Sequence, residues 1–268
     1  MLHYITKQAL QTEEAYAYLI LQHLAKVLTV FSDDARIQNN ELSLSGGGEK
    51  STFYASFGYL DQEGSVAPSN SQYERFTLRL NSNHKITKAI TFGNNIGYTR
   101  TSSVGIDPNS EWGAPLNRAI NMAPLTPVVE TDPSRLNAPP FTDQPVVRDV
   151  YGRPYGISQN VFSEILNPVA ALAVAQSKGW SDKIVGNAFA EIEPTTGLRL
   201  RSNIGVDLSF WGDQSFSPVY YLSGTFNNTL NDYTRNANRG MFWLWENTAS
   251  YNRSFGLHNF TALIGTSA

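Results

Sequence analysis

Two long polar stretches carry the residues best suited to bind a ligand. They run from Ser103 to Trp180 and from Ser209 to Gly240, and both are rich in aromatic rings and amides. Rings stack on sugars and amides bond to hydroxyl groups, but the same groups also contact peptides. For any single residue, packing of the loop against itself is an equally good interpretation. The candidate ligand-contacting residues are Trp112, Tyr151, Tyr155, Trp211, Tyr220, Tyr221 and Tyr233.

No constellation of residues predicts catalysis. The stretch GGGEKS ends at Ser51, but Glu49 stands where a phosphate-binding loop needs glycine before its lysine, so a tight turn is favoured. The four histidines lie far apart without metal-ligand spacing, and the chain has no cysteine. Glu191 and Glu193 share a strand face beside a tight turn, which is the wrong end of a strand for the carboxylate pair of a glycosidase cleft. We therefore expect a protein that is not an enzyme and has no cofactor or metal.

The elements between these loops alternate between apolar and polar residues, which is the pattern of a β-strand with one buried or lipid-facing side. The clearest case runs from Leu198 to Asp207. Leu198, Leu200, Ser202, Ile204 and Val206 face one way, and Arg199, Arg201, Asn203, Gly205 and Asp207 face the other. Stretches 75–81 and 90–99 repeat the pattern, which indicates an all-β fold, either a sandwich or a barrel.

Loop length decides between these two architectures. Tight turns are expected at 45–50, 83–88, 194–197 and 254–257, and long loops at 61–72, 103–180 and 209–240. Short and long connections alternate strictly along the chain, as in an outer-membrane barrel with short periplasmic turns and long outer loops. We therefore predict an antiparallel transmembrane β-barrel segment with long extracellular loops. The alternative is a soluble carbohydrate-binding β-sandwich module.

Composition and charge agree with a membrane-facing sheet. Aromatic residues make up 12% of the 268 residues and charged residues 16%. The net charge of −3 argues against nucleic acid as a partner. Trp243, Trp245 and Tyr251 share one parity, so they are the candidates for an aromatic girdle at the lipid headgroups. No stretch of about 20 apolar residues exists, which excludes a helical membrane span.

Residues 1–40 differ in composition from the rest of the chain. The stretch from Ala9 to Val30 is composed of helix formers, and Glu13 and Glu14 stand before its most apolar part, which argues against a signal peptide. We expect an atypical N-terminal helix here that is not part of the fold of residues 41–268. Within the first long loop, residues 115–122 and 167–176 are expected to be short helices, because Asn167 and Pro168 supply an N-cap and a first-turn proline.

From Glu41 onward the sequence resembles the SusC/RagA-type TonB-linked outer-membrane transporters. The first matching stretch, from Leu42 to Gly64, reads LSLSGGGEKSTFYASFGYLDQEG. Four further stretches follow in the order expected for that family: 73–87 (YERFTLRLNSNHKIT), 167–173 (NPVAALA), 197–207 (GLRLRSNIGVD) and 245–268 (WENTASYNRSFGLHNFTALIGTSA).

The resemblance implies a TonB-dependent receptor that imports oligosaccharides or peptides across the outer membrane of a Gram-negative bacterium. It implies a barrel of about 22 strands with a plug and a TonB box. This chain is expected to be a fragment of that barrel, with about eight strands and without plug or TonB box. The implied partners are outer-membrane lipid, the TonB energy-coupling complex and a SusD-like surface lipoprotein.

Overall fold

Eight long antiparallel strands form one continuous sheet. The structure, a computed structural model, describes residues 28, 30–32, 34–106, 114–123, 125–158 and 166–268. The strands are β1 (Ile37–Gly47), β2 (Ser51–Glu63), β3 (Gln72–Lys85), β4 (Ile90–Val104), β5 (Gln176–Thr195), β6 (Leu198–Ser217), β7 (Tyr220–Tyr221), β8 (Asn227–Asn228), β9 (Asp232–Phe255) and β10 (His258–Ser267). The sheet order is β1-β2-β3-β4-β5-β6-β9-β10, so each long strand pairs with its neighbour in sequence and the predicted eight antiparallel strands are confirmed.

A sandwich would need a second large sheet, and the described part of the chain lacks one. Its other sheet pairs only the two-residue strands β7 and β8. The helix predicted before Phe31 lies almost wholly outside the described residues. β1 begins at Ile37, so residues 37–40 are part of the sheet.

The register gives the sheet one apolar and one polar face. Residues directly opposite on antiparallel strands share a face, so the pairing can be followed across the sheet. Ile204 pairs with Trp245 on one side and with Ala188 on the other, whereas Asn203 pairs with Glu246 and Phe189. The apolar face contains Leu42, Leu44, Phe57, Phe76, Leu78, Leu80, Ile96, Tyr98, Ile184, Leu200, Ile204, Val206, Leu208, Trp243, Trp245, Tyr251 and Ile264. The strand faces predicted for 75–81, 90–99 and 198–207 are confirmed.

The strands are tilted relative to the edge of the sheet at which the tight turns lie. One cross-strand row runs from Phe53 in β2 through Ser82, Asn94, Ala188 and Ile204 to Trp245 in β9. Phe53 lies two residues from the turn end of β2, and Trp245 lies ten residues from the turn end of β9. This drift of about eight residues over five strand pairs, at ~3.3 Å per residue and ~4.8 Å per strand, gives a tilt of about 45°. Such a tilt is typical of barrels.

The connections alternate between short and long as predicted, but both large loops are shorter than the sequence indicated. The tight turns occupy 48–50, 86–89, 196–197 and 256–257, and the outer loops occupy 64–71, 105–175 and 218–231. The predicted loop limits 103–180 and 209–240 are therefore wrong. β5, β6 and β9 continue past the strict alternation, with polar side chains on both faces beside rings such as Phe210 and Phe216, so the backbone ladder persists after the alternation has ended.

The described part of the second outer loop contains three short helices, named α1 (Pro115–Asn121), α2 (Pro133–Leu136) and α3 (Pro168–Val174). The predicted helices at 115–122 and 167–176 are confirmed as α1 and α3. None of the described helices has the length and hydropathy needed to cross a membrane.

Helix α3 connects all three outer loops. The buried Asn167 caps its N-terminus, since its Oδ1 accepts hydrogen bonds from the backbone N–H groups of Val169 and Ala170. Its Nδ2 donates to the carbonyl oxygens of Val128 at 2.9 Å and Gly156 at 3.2 Å. One side chain thereby fixes three segments of the second loop.

The other loops hold the opposite end and one side of α3. From the first loop, Asn70 Nδ2 donates to the carbonyl oxygens of Leu172 at 3.1 Å and Ala175 at 2.9 Å, which satisfies the last carbonyls of the helix. From the third loop, Leu222 packs with Ala170 and Ala171 in a small buried cluster. The outer loops are therefore one packed layer on the sheet.

We predict that Asn167→Ala loosens this layer locally. The substitution removes the helix cap and leaves two carbonyl groups without their donor, which costs about 1–3 kcal/mol. Amide hydrogen exchange over 169–174 should accelerate by roughly tenfold to a hundredfold. The matched control is Asn121→Ala, because the side chain of Asn121 is exposed and bonds within its own helix. Equal exchange in both variants would contradict the role assigned to Asn167.

Candidate ligand-binding surface

A row of amide side chains crosses the polar face. Asn95 Nδ2 donates to Asn187 Oδ1 at 3.1 Å, and Asn187 Nδ2 donates to Asn203 Oδ1 at 2.6 Å. Asn203 Nδ2 donates in turn to Glu246 Oε2 at 3.2 Å. Asn95 lies opposite Asn187 and Asn203 lies opposite Glu246, whereas Asn187 and Asn203 are diagonal neighbours, so the row runs obliquely across β4, β5, β6 and β9. The row therefore presents hydrogen-bonding groups on the polar face of the sheet.

A shallow hollow lies beside this row. Its floor includes Gly97 and Gly205, where a Cβ would find no heavy atom closer than 3.6 Å. Arg79 and Asp207 also line it, as do the apolar Val185, Phe242 and Leu244, and Asp207 forms an ion pair with Lys183 at 3.1 Å. The polar face thus combines charges, amides and open glycine positions.

Carboxylates on the polar face near the tight turns are paired with arginines. Glu191 lies 3.9 Å from Arg201, and Glu193 lies 3.4 Å from Arg199. The Arg201 guanidinium also stands 3.7 Å from the Phe189 ring centroid. This arrangement holds the side chains in place and gives no pair of carboxylates facing across a cleft. Among the described residues, no group of three or more His, Asp or Glu side chains is placed to hold a metal ion.

Two candidate ligand residues lie on strands, outside the loop in which the sequence placed them. Trp211 is on the polar face of β6, opposite Ser181 and Asn238, and its ring lies over Gly240, where a Cβ would be 3.3 Å from it. It is 43% exposed and stands toward the outer end of the sheet. Tyr233 is on the other face of β9, and its hydroxyl donates to Gln214 Oε1 at 3.3 Å.

The loop tyrosines differ in accessibility. Tyr155 and Tyr220 pack against the cluster that contains Leu166 and Leu222, so their rings contribute to the packed loop layer. Burial raises the pKa of the Tyr155 hydroxyl. Tyr221 is half-buried, and its N–H donates to the carbonyl oxygen of Pro145 at 2.9 Å. The candidate Trp112 lies outside the described residues.

Tyr151 is the most exposed of the candidates that the structure describes. It is 80% exposed on a turn built around Asp149, whose carboxylate accepts hydrogen bonds from the N–H groups of Tyr151 and Arg153. Removal from solvent raises the pKa of Asp149, but the hydrogen bonds from Arg153 and Tyr151 lower it by more. The pKa of this carboxyl therefore lies below its usual value. The Arg153 guanidinium stands 5.2 Å from the Tyr151 ring centroid.

The candidate girdle residues lie on the apolar face. Trp243 pairs with Val206, Trp245 with Ile204, and Tyr251 with Leu198. Trp245 Nε1 donates to the Ser202 hydroxyl at 2.9 Å, so the indole keeps a hydrogen bond on this face. Trp243 and Tyr251 are eight residues apart on one strand, about 26 Å at ~3.3 Å per residue.

Sequence reasoning missed the side chains that organise this surface. The amides of Asn95, Asn187 and Asn203 have the parity of the polar face, but only the register and the hydrogen bonds between them show that they form one row. The role of Asn70 could not be predicted from the sequence, because the carbonyl groups to which it donates lie more than 100 residues away.

Two known proteins similar in sequence to this chain are both TonB-dependent receptors. TonB-dependent receptor P3 of Formosa agariphila is 27% identical over 238 residues, which cover 86% of this chain and 21% of that protein. TonB-dependent receptor P26 of the same organism is 25% identical over 241 residues, which cover 87% of this chain and 21% of that protein. No protein-family model matches the chain. The chain spans about a fifth of the length of the curated relatives it matches.

Solved structures give the same fold. The RagAB peptide importer in its closed-closed state superimposes with a TM-score of 0.64 at 24% identity, over 90% of this chain and 25% of that chain. Its open-open state also gives a TM-score of 0.64, at 21% identity. The sequence is therefore similar to part of TonB-dependent receptors, and the sheet has the fold of one part of a SusC/RagA-type barrel.

Proposed function

We propose that this chain forms part of the wall and outer mouth of an outer-membrane transporter that imports oligosaccharides or peptides. The observation that carries the proposal is the apolar face, which runs across all eight long strands and is exposed. Leu42 is 72% exposed at one edge and Ile264 is 71% exposed at the other. Soluble proteins bury such a surface, whereas a membrane barrel turns it toward lipid.

The height of the apolar face suits a bilayer. On β6 it extends from Leu198 to Leu208, about ten residues or ~33 Å along the strand. With a tilt of about 45°, this becomes ~23 Å along the membrane normal, close to the ~25 Å apolar band of outer-membrane barrels.

The outer limit of this band is marked by tyrosines bonded to carboxylates. On the apolar face, Tyr98 donates its hydroxyl to Asp182 at 2.6 Å, and Arg100 lies 3.6 Å from the same carboxylate. Tyr59 likewise donates to Glu74 at 3.4 Å. Tyrosine with an apolar body and a hydrogen-bonded tip is the residue expected where hydrocarbon gives way to headgroups.

Transport itself is proposed for the whole protein. Lipid offers no hydrogen-bond partners for the outer edges of β1 and β10, so a membrane barrel needs further strands to close. The resemblance to SusC/RagA transporters supports coupling to the TonB complex and a SusD-like lipoprotein above the outer loops, and no catalysis is expected. The polar face would line the lumen, with Trp211 and Tyr151 placed to contact the imported oligosaccharide or peptide.

We predict opposite effects of arginine at two neighbouring positions of β10. Ile264 is on the apolar face and Leu263 is on the polar face, and they are 71% and 72% exposed. In detergent micelles, Ile264→Arg should lower the free energy of unfolding by about 2–4 kcal/mol, because it places a charge in hydrocarbon. Leu263→Arg is the matched control and should have little effect. Urea unfolding followed by circular dichroism measures both, and equal effects would contradict the membrane placement.

We predict that tryptophans on the two faces respond to different quenchers. Trp243 and Trp245 should be quenched by brominated detergent, because they face the hydrocarbon. Replacing both with Phe should remove most of this quenching. The control variant Trp211→Phe should leave it intact while reducing quenching by acrylamide from water. Lipid-phase quenching that depends on Trp211 would reverse the assignment of the faces.

We predict that Trp211 contributes to substrate binding. Titration of the folded chain with a mannan oligosaccharide and, separately, with a tryptic peptide digest should show binding to one of them. Trp211→Ala should weaken it by up to about tenfold, since a stacked ring contributes ~0.5–1.5 kcal/mol. Trp245→Phe, on the opposite face, is the control and should bind normally. Unchanged binding by Trp211→Ala would remove this residue from the proposed site.

A further inference from the structure

Three cations lie together on the apolar side of the sheet, beyond the outer limit of the apolar band. Lys178 and Arg235 both pair with Gln214, one from each side, and Arg239 pairs with Phe210. All three cations are exposed. We call Lys178, Arg235 and Arg239 the outer basic patch.

The outer basic patch has no acidic partner among the described residues. The ion pairs there do not include any of its three members. The nearest carboxylate on the same face in the register is Asp182, opposite Phe210, and it already binds Tyr98 and Arg100. The patch therefore keeps its positive charge although the chain as a whole has a net charge of −3.

An aromatic ring lies in the middle of the patch. Trp180 pairs with Gly212, which pairs with Ala237, so this row, in which the indole is the only large side chain, separates Lys178 and Arg235 from Arg239. The indole lies over Gly212, where a Cβ would be 3.1 Å from its Cζ2 atom. A flat ring beside three cations suits a ligand that has both sugar rings and anionic groups.

The patch continues directly from the proposed lipid-facing surface. Arg239 lies four residues beyond Trp243 on β9, which is ~9 Å further along the membrane normal at the tilt given above. Lys178 and Arg235 are two strands apart, about 10 Å, and Arg235 and Arg239 are about 13 Å apart along β9. These spacings suit a headgroup with phosphates on separate sugars better than a single phosphate.

We propose that the outer basic patch binds the phosphorylated sugar headgroup of an outer-leaflet glycolipid whose acyl chains lie on the apolar face below. Cations near a membrane surface attract anionic headgroups, each contributing about a fivefold gain in affinity. The proposal rests on the membrane placement in the proposed function. It assigns the patch to lipid, away from the imported substrate on the opposite face.

The test uses the whole chain folded in detergent micelles, with bisphosphorylated lipid A as the probe and native mass spectrometry as the readout. The triple variant Lys178→Gln, Arg235→Gln, Arg239→Gln should bind roughly 100-fold more weakly, and Arg239→Gln alone about fivefold more weakly. The control variant Lys50→Gln, Lys85→Gln, Lys88→Gln removes the same charge at the tight-turn end and should bind normally. Chemically dephosphorylated lipid A should bind the unmodified chain weakly.

Three results would overturn the proposal. The first is normal lipid A binding by a triple variant whose circular dichroism matches that of the unmodified chain. The second is full displacement of lipid A by inorganic phosphate at millimolar concentration, which would indicate a simple anion site. The third is an equal effect of Ile264→Arg and Leu263→Arg, which would remove the membrane placement itself and so separates that failure from a failure of the patch alone.

Discussion

Pairing of backbone hydrogen-bonding groups is the constraint on which the rest of this structure depends. Every long strand is antiparallel to its neighbours, and the register shows one irregularity, between Ile192 and Thr195 beside a tight turn. Because the ladder is otherwise regular, side chains of one parity stay on one side from β1 to β10. A slip of one residue would exchange the faces. The separation of the apolar face from the polar face therefore follows from the register.

The sequence predicted the strands where the two sides of the sheet meet different environments. Leu198 to Asp207 alternates because one side of the strand is apolar and the other polar. Asn167 and Pro168 predict a capped helix from local chemistry alone. The outer parts of β6 and β9 could not be predicted in this way. Both their faces carry polar side chains, so only pairing with the neighbouring strand, as between Trp211 and Asn238, reveals them.

The candidate site was less predictable than the fold, because composition does not tell a packed ring from an exposed one. Tyr155 and Tyr151 are four residues apart in one loop, yet the first packs against a buried cluster and the second is 80% exposed. The difference comes from Leu222, which reaches the cluster from another loop. Contacts between distant segments also determine the amide row and the role of Asn70.

On strands β5, β6 and β9, cations on the two faces differ in whether a carboxylate of the chain lies beside them, and this difference argues for what lies outside each face. On the polar face of β5 and β6, Lys183, Arg199 and Arg201 each have a carboxylate of the chain within 4 Å. On the other side of the same sheet, the cations of the outer basic patch have none among the described residues. These cations lie apart from the carboxylates of a chain whose net charge is −3, at the level where lipid headgroups would lie. Anions supplied by the membrane explain this arrangement best.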